Sequence, residues 1–279
     1  MAIFLALFSS ALWGSADFEA GRLAKKFPAI AVTGMTQACG LIFGLLILGL
    51  SGGWHAVAFG SEGYFLPAVL AGISGYFGLV CLYAGLATGR MGVVSPISSI
   101  CAVIPVTIAL LSGEHLPAIK AAGVAVAILG AFLASGPEIR GGVTTRPLLL
   151  ALGAATGFGF ALTFMARGSQ SSALMTMVMM RCTTLLISLA IALRYRSVGG
   201  FTRREIPRLA YIGVADFSAN LLLGIASTQA LVSVVMVLGS LFPIMTALLA
   251  YIFLHERLHR VQYWGIAFAI TGVALISGS

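Results

Sequence analysis

Charge is scarce in this sequence. Asp, Glu, Lys and Arg together make up 9% of its 279 residues, where a soluble domain carries roughly a quarter. That scarcity excludes a soluble fold, and 59% hydrophobic residues with a mean hydropathy of +1.06 place the chain in a bilayer. Acids are scarcer than bases, 8 against 16 Lys and Arg, which gives a formal charge of +8. In a soluble protein that balance would raise nucleic acid as a partner. Here the bases lie mostly in short loops, where they anchor helix ends at headgroups and set orientation, so no nucleic-acid partner is expected. Cysteine is sparse too: Cys39, Cys81, Cys101 and Cys182 sit inside apolar runs without metal-ligand or disulfide spacing and read as small packing residues. No Walker loop and no G-x-G-x-x-G occurs, which disfavours ATP-driven work by this chain alone. No cofactor or metal is expected.

What the chain does have is apolar runs of membrane-crossing length. A crossing takes about 20 residues at 1.5 Å rise, and the runs fall near Ala2 to Leu23, Ala29 to Leu50, Tyr64 to Thr88, Gly92 to Ser112, Pro117 to Ser135, Pro147 to Arg167, Ser172 to Leu193, Ile206 to Thr228, Leu231 to Leu254 and Gln262 to Gly278. The fold class expected is therefore an all-α membrane protein of ten transmembrane helices. The first run lacks a basic leader and continues into Asp17 and Glu19, so it reads as a retained span rather than a cleaved signal.

The last quarter repeats an earlier stretch. A gapless shift of 142 positions lays Gly113-Glu114-His115-Leu116 on His255-Glu256-Arg257-Leu258, Gly123 on Gly265 and Gly130 on Gly272. Trp13-Gly14 likewise matches Phe158-Gly159 at a slightly different offset. The chain is two related halves, 1–137 and 146–279, joined by a polar connector at 138–145. Five helices per half is an odd number, so the copies enter the membrane in opposite orientations, the inverted-repeat plan of secondary transporters.

Leu12-Trp13-Gly14-Ser15-Ala16-Asp17-Phe18, Gly89 to Ile97, Phe242-Pro243-Ile244-Met245-Thr246-Ala247-Leu248-Leu249 and Glu256-Arg257-Leu258 resemble the EamA-type members of the drug/metabolite transporter superfamily. The resemblance covers nearly the whole chain. It implies a ten-helix fold of two inverted five-helix repeats and transport, commonly export, of amino acids or other small metabolites, with a bacterial cytoplasmic membrane as the expected location. One departure is Cys101 in the first half where the second has Pro243, so the fourth and ninth helices are expected to bend differently.

Arg181 lies nine residues into the seventh run, on the order of 13 Å below its end, and an arginine at such depth needs a partner or a wet cavity. It either holds an anionic group of the substrate through its guanidinium fork or is locked to Asp216. Gln37 is its counterpart in the first half. Asp216 and Asn220 stand one helical turn apart and share a face, where an acid suits a proton-coupling role or a structural one. Asp17, beside Trp13, matches the resembled pattern; Glu19, near Arg22, reads as a headgroup-level ion pair. Trp13 and Phe158, at matching repeat positions, suit the walls of a cavity or aromatic packing. The substrate-binding set is Arg181, Asp216, Asn220, Asp17, Trp13, Gln37 and Phe158. Small-xxx-small patterns such as Gly40 to Gly44 and Gly153 to Gly157 permit close helix contact, and Met175, Met177, Met179 and Met180 run around their helix, which reads first as packing and second as an adaptable substrate wall.

Alternatives of other kinds stand beside this reading. A lipid-carrier flippase shares the plan. His255-Glu256-Arg257-Leu258-His259 satisfies H-E-x-x-H, the zinc-ligating pattern of a metalloprotease, yet the repeat preserves its glutamate and leucine and neither histidine. The expected function is secondary transport of a small polar metabolite by alternating access, with lipids as neighbours, a proton as candidate coupling ion, and a monomer or homodimer as the assembly. Charge and resemblance disagree on orientation. The loops after odd-numbered runs hold thirteen Lys and Arg, the opposite side only Lys120 and Arg167. Basic loops favour the cytoplasm, so the charges put both termini outside, whereas the resemblance implies both inside.

Overall fold

In the computed structural model the described residues are 1–53, 56–87, 94, 97–134, 145–196, 199–254 and 259–278, and among them every regular element is a helix. α1 (Ala2–Ala24), α2 (Ala29–Ser51) and α3 (Phe65–Ala87) are each 23 residues long. At 1.5 Å per residue they are about 34 Å long, enough to span the hydrocarbon core. A 3-10 turn at Ile100–Ala102 leads into α4 (Val103–Leu111), and α5 is Ala118–Ala134. The second half contains α6 (Thr145–Tyr195), α7 (Ile206–Ser227), α8 (Val232–Gly239), α9 (Phe242–Leu254) and α10 (Arg260–Ser277). By length and composition α2, α3, α6, α7 and the α8–α9 pair each suffice to cross a membrane.

The interior and exterior are inverted relative to a water-soluble protein. Phe4, Leu46, Leu66, Leu149, Leu186 and Trp264 point outward, while Gln37, Arg181, Asp216 and Asn220 are buried. This is the distribution a bilayer selects, because polar groups find partners only inside the bundle.

Two junctions need comment. The sixth and seventh runs are two helical arms, labelled together α6, that meet at Ser172, whose backbone is extended and non-helical (φ −163°, ψ 116°). No loop is needed, because the Ser172 hydroxyl accepts the Met175 N–H at 3.3 Å and starts the second arm as an N-cap would. The ninth run is divided at Ser240 and Leu241 into α8 and α9, and the fourth is interrupted at the matching level by the 3-10 turn. Pro243, in the first turn of α9, tolerates a helix start but not a helix interior. The connector at 138–144, most of the Gly89 to Ile97 motif, and Glu256-Arg257-Leu258 lie outside the described residues.

The halves interlock. α3 packs along both arms of α6, and α7, its counterpart, packs on α1 and α2; α5 packs on α10. The directions are opposed as well. α1 leads to Phe27, whose ring lies 4.7 Å from that of Phe201 just before α7. The first arm of α6 ends at the other face, where Arg167 donates to the Ser61 carbonyl at 3.1 Å. Equivalent first helices thus run antiparallel, as an inverted repeat requires.

Glycine makes the crossings close. A Cβ on Gly272 would stand 2.6 Å from the Ala127 nitrogen and one on Gly123 3.0 Å from the Gly272 carbonyl, and Gly130 and Gly265 meet the backbone of Ala269 and Ala134 still more tightly. The glycines seven apart in each half are the mutual seam of α5 and α10. Gly40 meets Gly213 where α2 crosses α7, and Gly157 meets Gly78 where α6 crosses α3. Both small-xxx-small patterns are spent inside the chain.

Candidate functional site

The crossings bring α1, α2, α6 and α7 together at mid-depth. Ser9 donates to the Ala219 carbonyl at 2.7 Å and Tyr211 to the Ser15 hydroxyl at 2.8 Å, which fastens α1 to α7 on either side of Trp13. Gly14 lies against the Phe242 carbonyl, and Thr246 donates to the Gly14 carbonyl at 3.0 Å, fastening the same segment to α9. Trp13 is thereby aimed at α7. Its indole Nε1 donates to Asp216 Oδ1 at 2.9 Å, and its ring meets Phe242 edge-on.

Asp216 is the hub. Oδ1 also accepts from Asn220 Nδ2 at 3.1 Å; Oδ2 accepts from Arg181 Nη2 at 2.8 Å and from Gln37 Nε2 at 3.0 Å. Four donors from four helical segments converge on one carboxylate, and Asn220 additionally bonds the Asp216 backbone carbonyl at 2.7 Å. Its desolvation is offset by charge-assisted bonds, which are stronger than neutral ones. Gln37 is oriented in turn: Thr184, one turn after Arg181, lies 3.4 Å from Gln37 Oε1 and 3.0 Å from the Arg181 carbonyl, and its one proton serves either.

Arg181 is 2% exposed and its guanidinium lies 5.9 Å from the centroid of the Phe217 ring. It reaches Asp216 through a single nitrogen, while its Nε is buried without a hydrogen-bond partner. Gly40 makes room for it, since a Cβ there would come within 3.4 Å of that Nε. Of the two roles open to Arg181, the ion pair with Asp216 is therefore present, with guanidinium N–H capacity left over.

A cavity adjoins this network. All seven residues singled out from the sequence, Trp13, Asp17, Gln37, Phe158, Arg181, Asp216 and Asn220, line it. Asp17 is half-buried and, among the described residues, accepts no hydrogen bond from the protein. The cavity thus holds one saturated carboxylate and one open one. Glu19 does not join them: it pairs with Arg22 at 2.8 Å, one turn away. The sequence reading missed Tyr76, Leu79, Leu162, Met165, Thr184 and Phe242, which complete the walls. Thr184 was findable from its spacing to Arg181; the apolar residues are indistinguishable in sequence from lipid-facing ones. Of the four methionines in α6, Met180 lines the cavity and Met177 is buried in packing.

His259, the last member of the H-E-x-x-H pattern, is the N-cap of α10 with extended backbone (φ −75°, ψ 155°), and its N–H donates to Gln262 Oε1 at 2.8 Å. Two histidines four apart ligate one ion from a continuous helix, and an extended residue at this end interrupts one. Residues 255–258 lie outside the described ones. Among the described residues no three of His, Cys, Asp or Glu cluster as metal ligands.

A helical membrane bundle of two opposed repeats around a central, mostly apolar cavity with a few buried polar side chains defines a transporter by class. Comparison with known families agrees: the EamA-like transporter family matches residues 1–136 and again 145–278. The chain belongs to that family and is an integral membrane transporter of small molecules. A solved crystal structure, described only as that of a protein, superposes with a TM-score of 0.76 at 16% identity, covering 98% of this chain and 95% of that one. At that identity the likeness is one of fold. No curated protein matches the sequence.

Proposed function

We propose that this protein is a secondary transporter that exports amino-acid-like metabolites across a bacterial cytoplasmic membrane by alternating access. The observation that carries the reading is the pairing of opposite chemistries in one cavity: a buried Arg181 with uncommitted N–H groups and an Asp17 carboxylate with no protein donor. A zwitterion fits both. Its carboxylate meets Arg181 beside Asn220, its ammonium meets Asp17, and its side chain meets Trp13, Phe158, Leu162 and Met165. Asp17 is also the site where a proton competes with the ammonium, which supplies the coupling: protonation on one face releases the substrate cation that deprotonation on the other recruits.

The test is counterflow into proteoliposomes with a panel of free amino acids, repeated under an imposed pH gradient. Stimulation by at least one amino acid, abolished in Asp17→Asn at preserved fold, is expected. Transport by Asp17→Asn at the wild-type rate and pH dependence would refute the role given to Asp17. Thermal stabilisation by polyprenyl phosphates instead of amino acids would replace the amino-acid reading by a lipid-carrier flippase.

A further inference from the structure

A second cavity lies away from the transport site, between α2 and the second arm of α6. It is an open groove of about 390 Å³, lined by Ile30, Ala31, Gly34 and Ala38 on one side and Leu189 and Ala192 on the other. Its lining is almost wholly apolar: Ser188 contributes a hydroxyl, but that group already donates to the Thr184 carbonyl at 2.7 Å. From Pro28 to Ala38 the groove follows ten residue steps of helix, about 15 Å at 1.5 Å each, or half the thickness of the hydrocarbon core. It is one leaflet deep.

Basic residues adjoin the groove's end in sequence: Lys25 and Lys26 precede Pro28, Arg194 and Arg196 flank Tyr195, and both Pro28 and Tyr195 line it. All four are exposed, and among the described residues none has an acidic partner. The nearby acids are engaged, Glu19 by Arg22 and Glu205 by Thr202. The Phe27 and Phe201 rings, in tilted contact at 4.7 Å, hold the two basic loops side by side. Tyr195, 72% exposed, sits where aromatic residues anchor at a headgroup boundary.

We infer that this groove is a binding site for one anionic phospholipid, an acyl chain lying between α2 and α6 and the phosphate held among Lys25, Lys26, Arg194 and Arg196. The depth of one leaflet selects a lipid chain, and four unpaired cations at its rim select an anionic headgroup over a zwitterionic one. Each basic residue near an anionic surface strengthens binding by roughly fivefold. The occupied groove bridges the two helices that carry Gln37 and Arg181 to Asp216, so the lipid supports the transport site from behind.

Native mass spectrometry of the purified full chain, exposed to equal amounts of phosphatidylglycerol and phosphatidylcholine, tests this. One phosphatidylglycerol retained at least about tenfold over phosphatidylcholine is expected. The preference should collapse in the quadruple variant K25Q/K26Q/R194Q/R196Q and persist in R203Q/R204Q/R208Q, which removes charge from the same end of the molecule without touching the rim. Ala192→Phe, which fills the groove, should lose the retained lipid while remaining monodisperse. Equal retention of both lipids, or equal loss of preference in the two charge variants, overturns the site and leaves only a diffuse basic surface.

Discussion

Removing either partner of the Arg181–Asp216 pair leaves a different residue stranded, and the structure sets the order of the damage. Breaking a buried pair by deleting one member costs about 3–5 kcal/mol. In Arg181→Met, Asp216 keeps Trp13, Gln37 and Asn220 as donors, so the cost should fall near the lower end, about 3 kcal/mol. In Asp216→Leu, Arg181 loses its one charged partner among the described residues, and Trp13 and Gln37 lose their acceptor, each worth roughly 1–3 kcal/mol when left unsatisfied, while Asn220 keeps the residue-216 backbone carbonyl. The sum reaches about 5 kcal/mol or more, comparable with the whole margin of a typical domain. The double variant Arg181→Met with Asp216→Leu removes the charge problem yet still orphans two donors, so it should stay below wild type rather than recover. Arg181→Lys is the discriminating case. A single nitrogen makes the bond to Asp216, which an ammonium can supply, but the remaining guanidinium N–H groups vanish. Lysine should restore most of the stability and little of the transport. Thermal unfolding in one detergent, read beside proteoliposome counterflow, gives both quantities. If Asp216→Leu is no less stable than Arg181→Met, the hub described here is not what holds these helices together.

Orientation follows from single cysteines in a cysteine-free background probed in intact cells with an impermeant thiol reagent: the charge bias predicts labelling at Ser61→Cys and protection at Thr202→Cys, and the reverse pattern would put both termini inside. Gly130→Leu should abolish folding, because Ala269 backbone occupies the space, whereas Gly123→Ala should cost only about 1–3 kcal/mol; a monodisperse Gly130→Leu protein by size-exclusion chromatography would contradict the seam. Glu114 accepts the N–H groups of Val232 at 2.9 Å and Ser233 at 3.1 Å, with the Ser233 hydroxyl, at the part-buried start of α8. Glu114→Ala should therefore destabilise by about 1–2 kcal/mol, and an unchanged unfolding midpoint would remove that cap from the account.

Much of this was legible because a bilayer penalises polarity so heavily that each buried polar residue needs a reason. Arg181, Gln37, Asp216 and Asn220 announced themselves by depth alone, and their appearance on one cavity follows from having nowhere else to be satisfied. The repeat was legible because glycines seven apart survive only where backbones touch. Other features were not. Trp13 read as a wall residue, and nothing local to it says that its indole serves Asp216, 203 residues away. Ser172 was read as the start of the seventh run, but nothing local to it says that the two arms meet there through a single extended residue. Glu114 was recognised as repeated, but its task lies on another helix 118 residues on. Side-chain chemistry was written in the sequence; the identity of long-range partners was a property of the crossings.

The crossing of α3 onto α6 and of α7 onto α1 and α2 has a consequence for biogenesis. When the ribosome has delivered the first five helices to the membrane, α1 and α2 have few sequence-adjacent neighbours to rest on, and the flank that will meet α7 faces lipid. Neither half is a self-sufficient intermediate. The first half must persist as a loose, chaperone-accessible set of helices until the second emerges, and assembly then proceeds as a joint event rather than as two successive ones. A chain cut within the connector should accordingly yield two fragments that are each degraded when made alone and rescued when made together.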